Sequence, residues 1–543
     1  MQLIVRREFP GRTRRPADVS VGRREKSRRG GHTSPMPDII LATLNARYAH
    51  AALGLRYLRA NLGELHGRSA IREFVIGQKT EEMAEKLLAD RPRILGLGVY
   101  IWNVEQCTRL VALLKLVAPD IVVVLGGPEV SHEPEVQPIC AQADYVISGW
   151  GDLSFARLAR QILAGEAPPD KLIKGEQPPL AALAMPYAEY TDEDVARRYI
   201  YVEASRGCPF KCEFCLSALD KTAWPFELNP FLAELEQLYA RGVRQFKFVD
   251  RTFNLKVDVS LAILEFFLAR IDTTPDDPPF VHFELIPDHL PERLKSAISR
   301  FPAGTLQFEI GIQTFNPEVQ TRISRRQKNH LAEDNLRWLR THSKAHLHVD
   351  LIAGLPGENL ASFAAGFDRL VALGPHEIQL GILKRLRGAP IARHTLDFDL
   401  RFSPDPPYQI LATDCLDFPT LQRVSRFARY WDLIANSGRF KQTLPWLLGT
   451  SPFARFMAFS DWLYANTGQT HALAHDRLVH LLQQFLSTEV ETPAEAEQAL
   501  IDDYRSAGGR SRLSFESADV VLPPPRKRQS GSTPARQARH LTA

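Results

Sequence analysis

Short, continuous apolar runs alternate with amphipathic stretches through most of this 543-residue chain. A strand that is apolar along its whole length is buried on both faces, which is typical of a parallel sheet covered by helices. Over residues 36–165 the pattern therefore predicts a doubly wound, Rossmann-like α/β domain of about five strands. The predicted strands are Ile39–Ala42, Phe74–Ile76, Ile94–Val99, Ile121–Leu125 and Tyr145–Ile147. The predicted helices include Leu53–Leu65, Val104–Val117 and Thr80–Ala89, with Thr80 as an N-cap.

A second α/β alternation follows a stretch rich in proline and glycine, residues 166–195, which we interpret as a linker. The six strand–helix units of residues 196–395 fall short of the eight in a complete TIM barrel, so we predict a partial (β/α)6 TIM-like barrel. Its active site should lie at the carboxyl ends of the strands. The predicted strands are Tyr199–Ala204, Gln245–Val249, Val281–Leu285, Leu306–Ile312, His346–Leu351 and Ile378–Ile382, and the helices include Phe231–Ala240 and Ala332–Leu339.

The β-periodicity fades after about Pro407, and large apolar residues then recur at helical spacing. This pattern predicts a helical C-terminal domain over residues 396–510. The residues that carry it include Leu421, Val424, Phe427 and Trp431.

Both ends of the chain are basic. Residues 1–35 carry ten Arg or Lys against three acidic residues, and the stretch from Pro523 onward carries five Arg or Lys and no acid. Such Arg-, Gly-, Ser- and Pro-rich segments cannot bury enough apolar surface to offset their ordering entropy, so residues 1–35 and 511–543 are predicted to be disordered. A nucleic-acid-binding arm is one interpretation of the first tail. The interpretation we favour is that Met36 is the true start.

The composition is typical of a soluble globular protein, with 44% apolar and 24% charged residues. No apolar run approaches the ~20 residues of a membrane-spanning helix, and the N-terminus has no apolar export signal. We therefore expect a cytoplasmic protein with no membrane partner. Six cysteines are too few for a disulfide framework, and three of them fall within eight positions, which indicates a metal site in a reducing compartment.

These three cysteines, Cys208, Cys212 and Cys215, directly follow the first predicted barrel strand. Three thiolates on one short loop can bind three irons of a [4Fe–4S] cube, which normally takes four cysteines. The fourth iron would then be open to bind a small molecule. Zinc is the alternative ligand, but it requires a fourth Cys or His, and the nearby sequence offers no obvious one. Three unrelated surface cysteines are the second alternative.

The CxxxCxxC spacing, with Phe214 just before the last cysteine, resembles the radical S-adenosylmethionine (SAM) superfamily. The resemblance implies that the open iron binds the amine and carboxylate of SAM. One-electron reduction would then cleave SAM to methionine and a 5′-deoxyadenosyl radical, and the electron would come from a flavodoxin- or ferredoxin-type donor. It also implies SAM contacts from Phe214 at the adenine, from Asp250 where the family usually has a Gly-Gly-Glu-like turn, from Glu309 and Gln313 in the fourth-strand motif, and from Gly354 and Pro356 in the fifth-strand motif.

The spacing of polar residues on the barrel strands is consistent with these contacts. Glu309 and Gln313 are four residues apart and share one face of a strand, as do His282 and Glu284, which are two apart. Buried polar side chains need partners to offset their desolvation, so we predict that these residues, including Glu284, contact a ligand inside the barrel.

A doubly wound domain ahead of such a barrel resembles the cobalamin-binding subgroup of this superfamily. The resemblance implies a cobalamin site at the strand ends and nearby loops, formed by Tyr48, Tyr100, Trp102, Gly126, Gly127, Gly149 and Gly151. The Asp-x-His-x-x-Gly signature, whose histidine binds cobalt from below, does not occur in the chain. His50 is a possible substitute, and the alternative is a solvated or core histidine. The region beyond residue 380 resembles a subset whose helical C-terminal domain has no assigned role.

The resulting hypothesis is a cobalamin-binding radical SAM enzyme that methylates an unactivated carbon of a small-molecule substrate. Rearrangement or cyclisation with the same cofactors is one alternative, and radical SAM chemistry without cobalamin is another. A non-enzymatic iron–sulfur or zinc regulator that binds nucleic acid through the basic tails is the third. We do not expect nucleic acid as a partner.

Overall fold

The computed structural model describes residues 36–220, 222–489, 493–516 and 534–541. The predicted basic tail 1–35 lies outside the described residues. Within the described residues, two six-stranded parallel sheets are followed by a helical region. Helices of the described part are all too short or too polar to cross a membrane. Short 3-10 helices occur at Gly63–Arg68, Pro134–Val136, Leu180–Ala182, Tyr187–Glu189, Leu216–Leu219, Phe253–Leu255 and Pro390–His394.

The first sheet is sandwiched between helices, as the continuous apolar strands predicted. Its strands are β1 (Ile39–Asn45), β2 (Ser69–Val75), β3 (Ile94–Gly98), β4 (Val122–Gly126), β5 (Tyr145–Ser148) and β6 (Leu172–Lys174). Its helices are α1 (Leu53–Ala60), α2 (Thr80–Ala89), α3 (Val104–Val117), α4 (Pro138–Gln142) and α5 (Asp152–Ala164). All strands run parallel in the order β2-β1-β3-β4-β5-β6. Because separate apolar clusters cover the two faces, the carboxyl ends of the strands are left as the open edge.

Two details of this domain differ from the sequence predictions. The sheet has a sixth strand, β6, which pairs with β5 inside the segment interpreted as a linker. Its short, half-exposed sequence gives no apolar run to detect. Thr80 is the first residue of α2 rather than its N-cap. The cap position belongs to Lys79, whose extended backbone (ψ 135°) precedes the helix and whose side chain makes no capping hydrogen bond.

The second sheet is the predicted partial barrel. Its six strands are β7 (Ile200–Val202), β10 (Gln245–Phe248), β11 (Phe280–Leu285), β12 (Leu306–Gln313), β13 (His346–Ala353) and β14 (Glu377–Ile382), and a hairpin of β8 (Ser205–Gly207) and β9 (Ala223–Pro225) follows β7. The helices are α6 (Asp192–Arg197), α7 (Leu228–Ala240), α8 (Val257–Thr273), α9 (Glu292–Ile298), α10 (Pro317–Arg322), α11 (Asn329–His342) and α12 (Leu360–Leu373). The strand order β14-β13-β12-β11-β10-β7 is parallel throughout and matches the six predicted strands.

The two faces of the barrel sheet differ in chemistry. Phe246 and Phe248 of β10 point outward, where both pack against Phe267 of α8. Lys247 lies between these two phenylalanines on β10, and His282 is its partner on the neighbouring strand β11. Both are polar and point inward. Outward apolar packing therefore stabilises the sheet, while the inner face is left free for polar chemistry.

The C-terminal region is helical, as predicted. It consists of α13 (Phe418–Ile434), α14 (Thr443–Leu448), α15 (Pro452–Thr467), α16 (His475–Glu489), α17 (Pro493–Ser506) and α18 (Ala535–Leu541), preceded by the short strands β15 (Arg401–Phe402) and β16 (Ile410–Ala412). The residues that predicted helix α13 form its buried face: Leu421, Val424, Phe427 and Trp431. This face packs against Phe367 of α12, so the helical domain rests on the outer layer of the barrel.

The final helix α18 corrects the prediction that residues 511–543 are disordered for residues 535–541, while residues 517–533 and 542–543 lie outside the described residues. Arg536 forms ion pairs with Glu377 (3.0 Å), at the start of β14, and with Asp432 (2.6 Å) of α13. The ring of His540 lies 5.2 Å from that of His346, at the start of β13. The sequence showed basic residues without an apolar stripe. It did not show the acidic residues, distant along the chain, with which α18 pairs at the amino end of the barrel.

Candidate functional site

A cavity of about 430 Å³ lies where the carboxyl ends of the first sheet meet the barrel. We call it the glycine-lined cavity. Its walls come from the ends of β1, β3, β4 and β5 and from the barrel strand β7, which contributes Tyr201. Seven glycines of the first domain and several aromatic rings border it: Gly54, Gly96, Gly98, Gly126, Gly127, Gly149 and Gly151, with Tyr57, Tyr100, Trp102 and Trp150. Such a site, largely backbone and aromatic, suits a bulky ligand with flat faces.

Gly126, the last residue of β4, shows that the glycines leave space for a ligand. Its φ is not positive, and a Cβ at this position would meet no heavy atom of the protein within 4 Å. Neither backbone strain nor packing therefore requires glycine here. By contrast, the next glycine, Gly127, has φ +110° and a Cβ there would approach the carbonyl oxygen of Val99 to 2.4 Å, so the turn itself requires it. Gly126 is the better indicator of a ligand.

Six of the seven residues predicted for cobalamin line this cavity. Gly126, Gly127, Gly149 and Gly151 follow β4 and β5, while Tyr100 and Trp102 stack with centroids 4.5 Å apart and planes 8° from parallel. The seventh, Tyr48, does not border the cavity. It is 43% exposed, beneath the guanidinium of Arg198. Tyr48 follows β1 in sequence, but its side chain turns toward the outer surface.

His50 also lines the glycine-lined cavity, where it joins the two domains. Its Nδ1 lies 2.6 Å from the Oη of Tyr201 on β7. Burial, together with the charges of Lys247 and Arg47, lowers the pKa of His50 to about 4. The imidazole is therefore neutral near pH 7, and the Tyr201 contact uses one of its two nitrogens.

Arg206, in the hairpin strand β8, connects the cavity walls of both domains. Its guanidinium pairs with Asp152 of α5 (3.0 Å) and with Glu203 (2.9 Å). It also lies over the rings of Tyr57 (4.3 Å) and Trp150 (4.9 Å). Two charge pairs and two cation–π contacts thus hold the start of the cysteine loop against the first domain.

A second, smaller cavity of about 160 Å³ lies at the carboxyl ends of the barrel strands. We call it the cysteine-lined cavity because Cys208, Cys212 and Cys215 all border it. The two cavities adjoin each other. Gly207 and Val249 line the first, and Cys208 and Arg251, one and two residues further along, line the second.

The three cysteines are free thiols in a mostly buried setting. Burial raises the pKa of the Cys208 thiol to about 11 and also raises the pKa of Cys215. Arg325 donates from Nη1 to the Sγ of Cys212 (3.5 Å) and brings a positive charge to the loop. Among the described residues no three His, Cys, Asp or Glu side chains converge on a single-ion site. A cube, however, binds each cysteine to a different iron, so its ligands need not converge.

Glu213, between the second and third cysteines, holds the loop in place. It is 3% exposed and forms ion pairs with Arg393 and with His394 (2.8 Å), and it accepts a hydrogen bond from Ser324 (2.6 Å). Its amide donates to the carbonyl of Ile323 (3.0 Å). The sequence between the cysteines is therefore anchored on both sides, which fixes the direction in which the thiols point.

Four of the predicted SAM-binding residues line the cysteine-lined cavity: Phe214, Glu284, Glu309 and Gln313. Burial raises the pKa of Glu284, even though Arg251 pairs with it at 3.2 Å. Burial also opposes ionisation of Glu309, but the hydrogen bond from Nε2 of His282 (3.2 Å) and nearby positive charges hold the pKa of this carboxyl below its usual range.

Two buried polar atoms of this cavity have no hydrogen-bond partner within the described residues. They are Oε1 of Gln313 and Oγ1 of Thr252. Gln313 also has φ +70°, a left-handed conformation that is costly for a residue with a side chain. Because buried polar atoms are normally paired, the two atoms indicate that a polar ligand completes the site.

Three other predicted SAM-binding residues do not border the cavity. Asp250, 2% exposed, accepts hydrogen bonds from the amide of Ala204 (3.0 Å) and the hydroxyl of Ser205 (2.6 Å), below the hairpin. Gly354 has φ +85°, and a Cβ there would lie 2.6 Å from Ile410. The carbonyl of Pro356 accepts from Arg322 (2.7 Å). These residues shape turns behind the site.

The sequence interpretation missed Arg206, Glu213, Thr252 and Arg325. Arg206 and Glu213 lie within the cysteine run, so their positions were visible, but their partners, Asp152 and Arg393, are far away in sequence. Thr252 follows Asp250 by two residues and gave no separate signal. Arg325 lies on the loop after α10, outside every strand-end motif.

Three family models match successive parts of the chain. Residues 39–159 match the B12 binding domain, and residues 202–370 match the Radical SAM superfamily. Residues 396–514 match a protein family of unknown function, DUF4080. The first two ranges coincide with the sheets that form the two cavities. The third covers the helical C-terminal domain.

Several relatives with similar sequences carry methyltransferase names, and others are named as coproporphyrinogen III oxidases or as a cyclase. The cobalamin-dependent radical SAM methyltransferase TokK of Streptomyces tokunonensis is 26% identical over 344 residues, which cover 56% of this chain and 48% of that protein. An uncharacterized methyltransferase of Pyrococcus horikoshii is 27% identical over 239 residues, 39% of this chain and 52% of that protein. The chain thus spans about half the length of these curated relatives.

Among solved structures, the cobalamin-dependent SAM radical enzyme OxsB with aqua-cobalamin bound has a similar fold. The TM-score is 0.61 at 13% identity, and the match covers 88% of this chain and 85% of OxsB. At this identity the likeness concerns the fold alone. It extends through both sheets and into the helical region.

Proposed function

We propose that this chain, which matches the B12 binding domain and the Radical SAM superfamily over successive parts of its length, binds cobalamin and methylates an unactivated carbon of a small-molecule substrate. The observation that carries the proposal is the pair of adjoining cavities, one lined by glycines at the ends of the first sheet and one lined by three cysteines at the ends of the barrel strands. The methyltransferase names of the relatives support the type of reaction.

The cofactors supply the difficult chemistry in this proposal. A reduced [4Fe–4S] cluster held by the three cysteines would supply the electron that cleaves one SAM to methionine and a 5′-deoxyadenosyl radical, which abstracts a substrate hydrogen atom. Cobalamin would carry a methyl group from a second SAM molecule to the substrate carbon. Because the pKa of Cys208 and Cys215 is raised by burial, iron binding must release protons from these thiols.

We propose that four residues of the cysteine-lined cavity contact SAM directly: Phe214, Glu284, Glu309 and Gln313. Thr252 is a fifth candidate, since its hydroxyl and the Gln313 carbonyl both lack a partner within the described structure. We assign Asp250, Gly354 and Pro356 to positioning the loops instead, because their side chains or backbones bond to neighbouring segments.

For cobalamin we propose contacts from Tyr100, Trp102 and the glycines at positions 126, 127, 149 and 151, but not from Tyr48. The space next to Gly126 fits a close backbone approach by a flat ligand. We assign His50 to the contact between the two domains rather than to cobalt, since its Nδ1 lies 2.6 Å from the hydroxyl of Tyr201 on β7.

The working partners follow from the same chemistry. The cluster requires a one-electron donor, which we propose is a flavodoxin or ferredoxin type. All six cysteines of the chain are free thiols, including the buried Cys107 and Cys140. Free thiols and an oxygen-sensitive cluster are compatible with a reducing, cytoplasmic setting.

The test is anaerobic reconstitution of the full-length protein with iron, sulfide and hydroxocobalamin. The protein is then incubated with a reductant, metabolite extract and SAM that carries a deuterated methyl group. We expect corrin absorption bands after desalting, reductant-dependent 5′-deoxyadenosine, and a small molecule with added mass from the labelled methyl group. An intact cluster with no corrin bands would refute cobalamin binding. 5′-Deoxyadenosine without a labelled product would refute methyl transfer.

A further inference from the structure

The inner face of the barrel carries an ammonium group with no contact partner. Lys247 is on β10, and its register neighbours are Tyr201 on β7 and His282 on β11. The residues on either side of it, Phe246 and Phe248, face outward, so Lys247 points into the barrel. Within the described residues it forms no hydrogen bond or ion pair. It is only partly exposed, so solvent compensates its charge incompletely.

The carboxylates nearby are engaged elsewhere. Glu309 accepts from His282 (3.2 Å), and Glu284 pairs with Arg251 (3.2 Å). Asp350 lies 3.6 Å from Nε2 of His348. The Lys247 charge still reaches this cluster. Burial lowers the pKa of His282 and the charge of Lys247 lowers it further. Burial raises the pKa of Glu309, but the hydrogen bond from His282 and, to a smaller extent, the charge of Lys247 lower it. Each of these carboxylates therefore contacts another residue, and none of them contacts the ammonium of Lys247 directly in the described structure.

Lys247 also lies between the two cavities. Tyr201, its neighbour on one side, lines the glycine-lined cavity. On its other side His282 bonds to Glu309, which lines the cysteine-lined cavity. A substrate that receives a methyl group from one cofactor after losing a hydrogen atom to the other must lie between them. Lys247 itself borders neither cavity, but its charge acts on His50 of the first and on Glu309 of the second, so its ammonium lies near the place where that substrate would bind.

We propose that Lys247 binds an anionic group of the substrate, a carboxylate or a phosphate, and thereby selects acidic small molecules. This inference rests on the proposed function, because it assumes that the substrate lies between the two cofactors. The ammonium would donate to the anion, and the hydrogen bond would be charge-assisted. His282, whose Nδ1 is buried without a partner in the described structure, could accept from a neighbouring hydroxyl or amine of the same substrate.

The first test asks which metabolites are methylated. A metabolite extract is separated on an anion-exchange resin into flow-through, weakly retained and strongly retained fractions, and each is incubated with the reconstituted holoenzyme and methyl-labelled SAM. We expect the labelled product from a retained fraction. Phosphatase treatment of that fraction then distinguishes the sources: loss of the product indicates a phosphate, and its persistence indicates a carboxylate. A labelled product from the flow-through alone would overturn the inference while the proposed function stands. No labelled product from any fraction would refute the proposed function itself.

The second test is Lys247→Gln, with Lys247→Arg as the conservative variant and Lys86→Gln, at an exposed position of α2, as the matched control. Loss of one charge-assisted contact is expected to raise the KM for the active fraction about 10- to 100-fold. Lys247→Arg should recover part of that loss, and Lys86→Gln should have no effect. An equal rise in the KM for SAM would mean that Lys247 binds the SAM carboxylate, and would overturn the proposal.

A third measurement does not depend on the reaction. Crystals of the holoenzyme soaked in sodium bromide should give an anomalous peak beside Nζ of Lys247, and the peak should disappear in Lys247→Gln. Phosphate or acetate added to the soak should compete with bromide. A wild-type crystal with bromide at other lysines and none at Lys247 would contradict an anion site, even if methyl transfer itself is established.

Discussion

The two adjoining cavities differ in how their walls are made. The glycine-lined cavity, about 430 Å³, is bordered largely by backbone and aromatic rings, and its one buried guanidinium, Arg206, is already paired. The cysteine-lined cavity, about 160 Å³, is bordered by Arg251, Glu284, Glu309 and Arg325. The first selects a ligand by shape. The second selects a smaller ligand by charge and hydrogen bonding, so substitutions should affect the two sites separately.

Cys212→Ala is expected to give the largest difference between the effects on the two cavities. Loss of one of the three ligands should prevent assembly of the cluster. Substituting a residue that only supports a metal ligand typically lowers activity about 10- to 100-fold, so we expect 5′-deoxyadenosine formation to fall by more than about 100-fold here. Hydroxocobalamin should still bind, because Cys212 does not border the glycine-lined cavity. Iron analysis, 5′-deoxyadenosine by mass spectrometry and equilibrium dialysis measure the three outcomes.

The control for that variant is Cys415→Ala, at an exposed cysteine outside both cavities. It should retain the iron content and activity of the wild type. If Cys212→Ala lost both cofactors, the two cavities would form one cooperative site, and the contrast between them would be wrong.

Arg206→Gln removes a side chain that borders the glycine-lined cavity and ties the start of the cysteine loop to the first domain. It would leave the mostly buried carboxylates of Asp152 and Glu203 without their shared cation, and breaking such a pair costs about 3 kcal/mol in the free energy of unfolding. We expect a lower thermal midpoint and weaker binding of both cofactors. The control is Arg157→Gln, whose pair with Glu176 is exposed and should contribute less than about 1 kcal/mol. Equal midpoints for the two variants would show that Arg206 does not join the domains.

The sequence predicted the two cavities unequally. All three cysteines and six of the seven cobalamin residues border the cavities to which they were assigned, because both sets follow strand ends and parallel strands bring their carboxyl ends to one edge. Tyr48 also follows a strand end, but the sequence does not say which way a loop side chain turns. Asp250 was chosen as the carboxylate at a strand end, yet it bonds to Ala204 and Ser205.

Contacts between distant segments were beyond sequence reasoning. The alternation of apolar runs gave all six barrel strands, since it depends only on local burial. Two ion pairs illustrate this. Arg206 and Asp152 are 54 residues apart along the chain, and Arg536 and Glu377 are 159 residues apart, so no local sequence pattern predicts either pair. For the same reason α18 was predicted to be disordered, and Lys247 was visible only as a polar position in a strand.

Gly126→Leu tests the shape-selective cavity with a smaller expected effect. The new side chain meets no protein atom near its Cβ, so it should extend into the space proposed for cobalamin without straining the backbone. Steric overlap of this kind costs about 1–3 kcal/mol, which corresponds to about 10- to 100-fold weaker hydroxocobalamin binding. Gly67→Leu is the control, because Gly67 is exposed, has no positive φ and also meets nothing within 4 Å. Loss of iron from Gly126→Leu would contradict separate sites.

The smallest effect is expected from Asp250→Asn, at a position that borders neither cavity but lies between Val249, which lines the first, and Arg251, which lines the second. Burial raises the pKa of Asp250 from 3.8 to about 7, although the hydrogen bonds from Ser205 and Ala204 lower it. A carboxyl whose pKa is higher in the folded state stabilises the fold when it is protonated, and that contribution is lost as the pH rises through about 7. Asparagine can accept from the Ala204 amide through its carbonyl oxygen and donate from its amide nitrogen to the hydroxyl oxygen of Ser205, and it has no proton to lose in this pH range.

Between pH 6 and pH 8 the wild type should therefore lose about 1 kcal/mol of stability relative to Asp250→Asn, because one pKa unit corresponds to about 1.4 kcal/mol. Thermal midpoints of the two proteins, measured by scanning fluorimetry across this range, should diverge as the pH rises, with the wild type falling. Asp258→Asn, at an exposed carboxylate of α8, is the control and should follow the wild type at every pH. Parallel curves for wild type and Asp250→Asn would mean that Asp250 does not titrate between pH 6 and pH 8, and would contradict a pKa near 7 for this carboxyl.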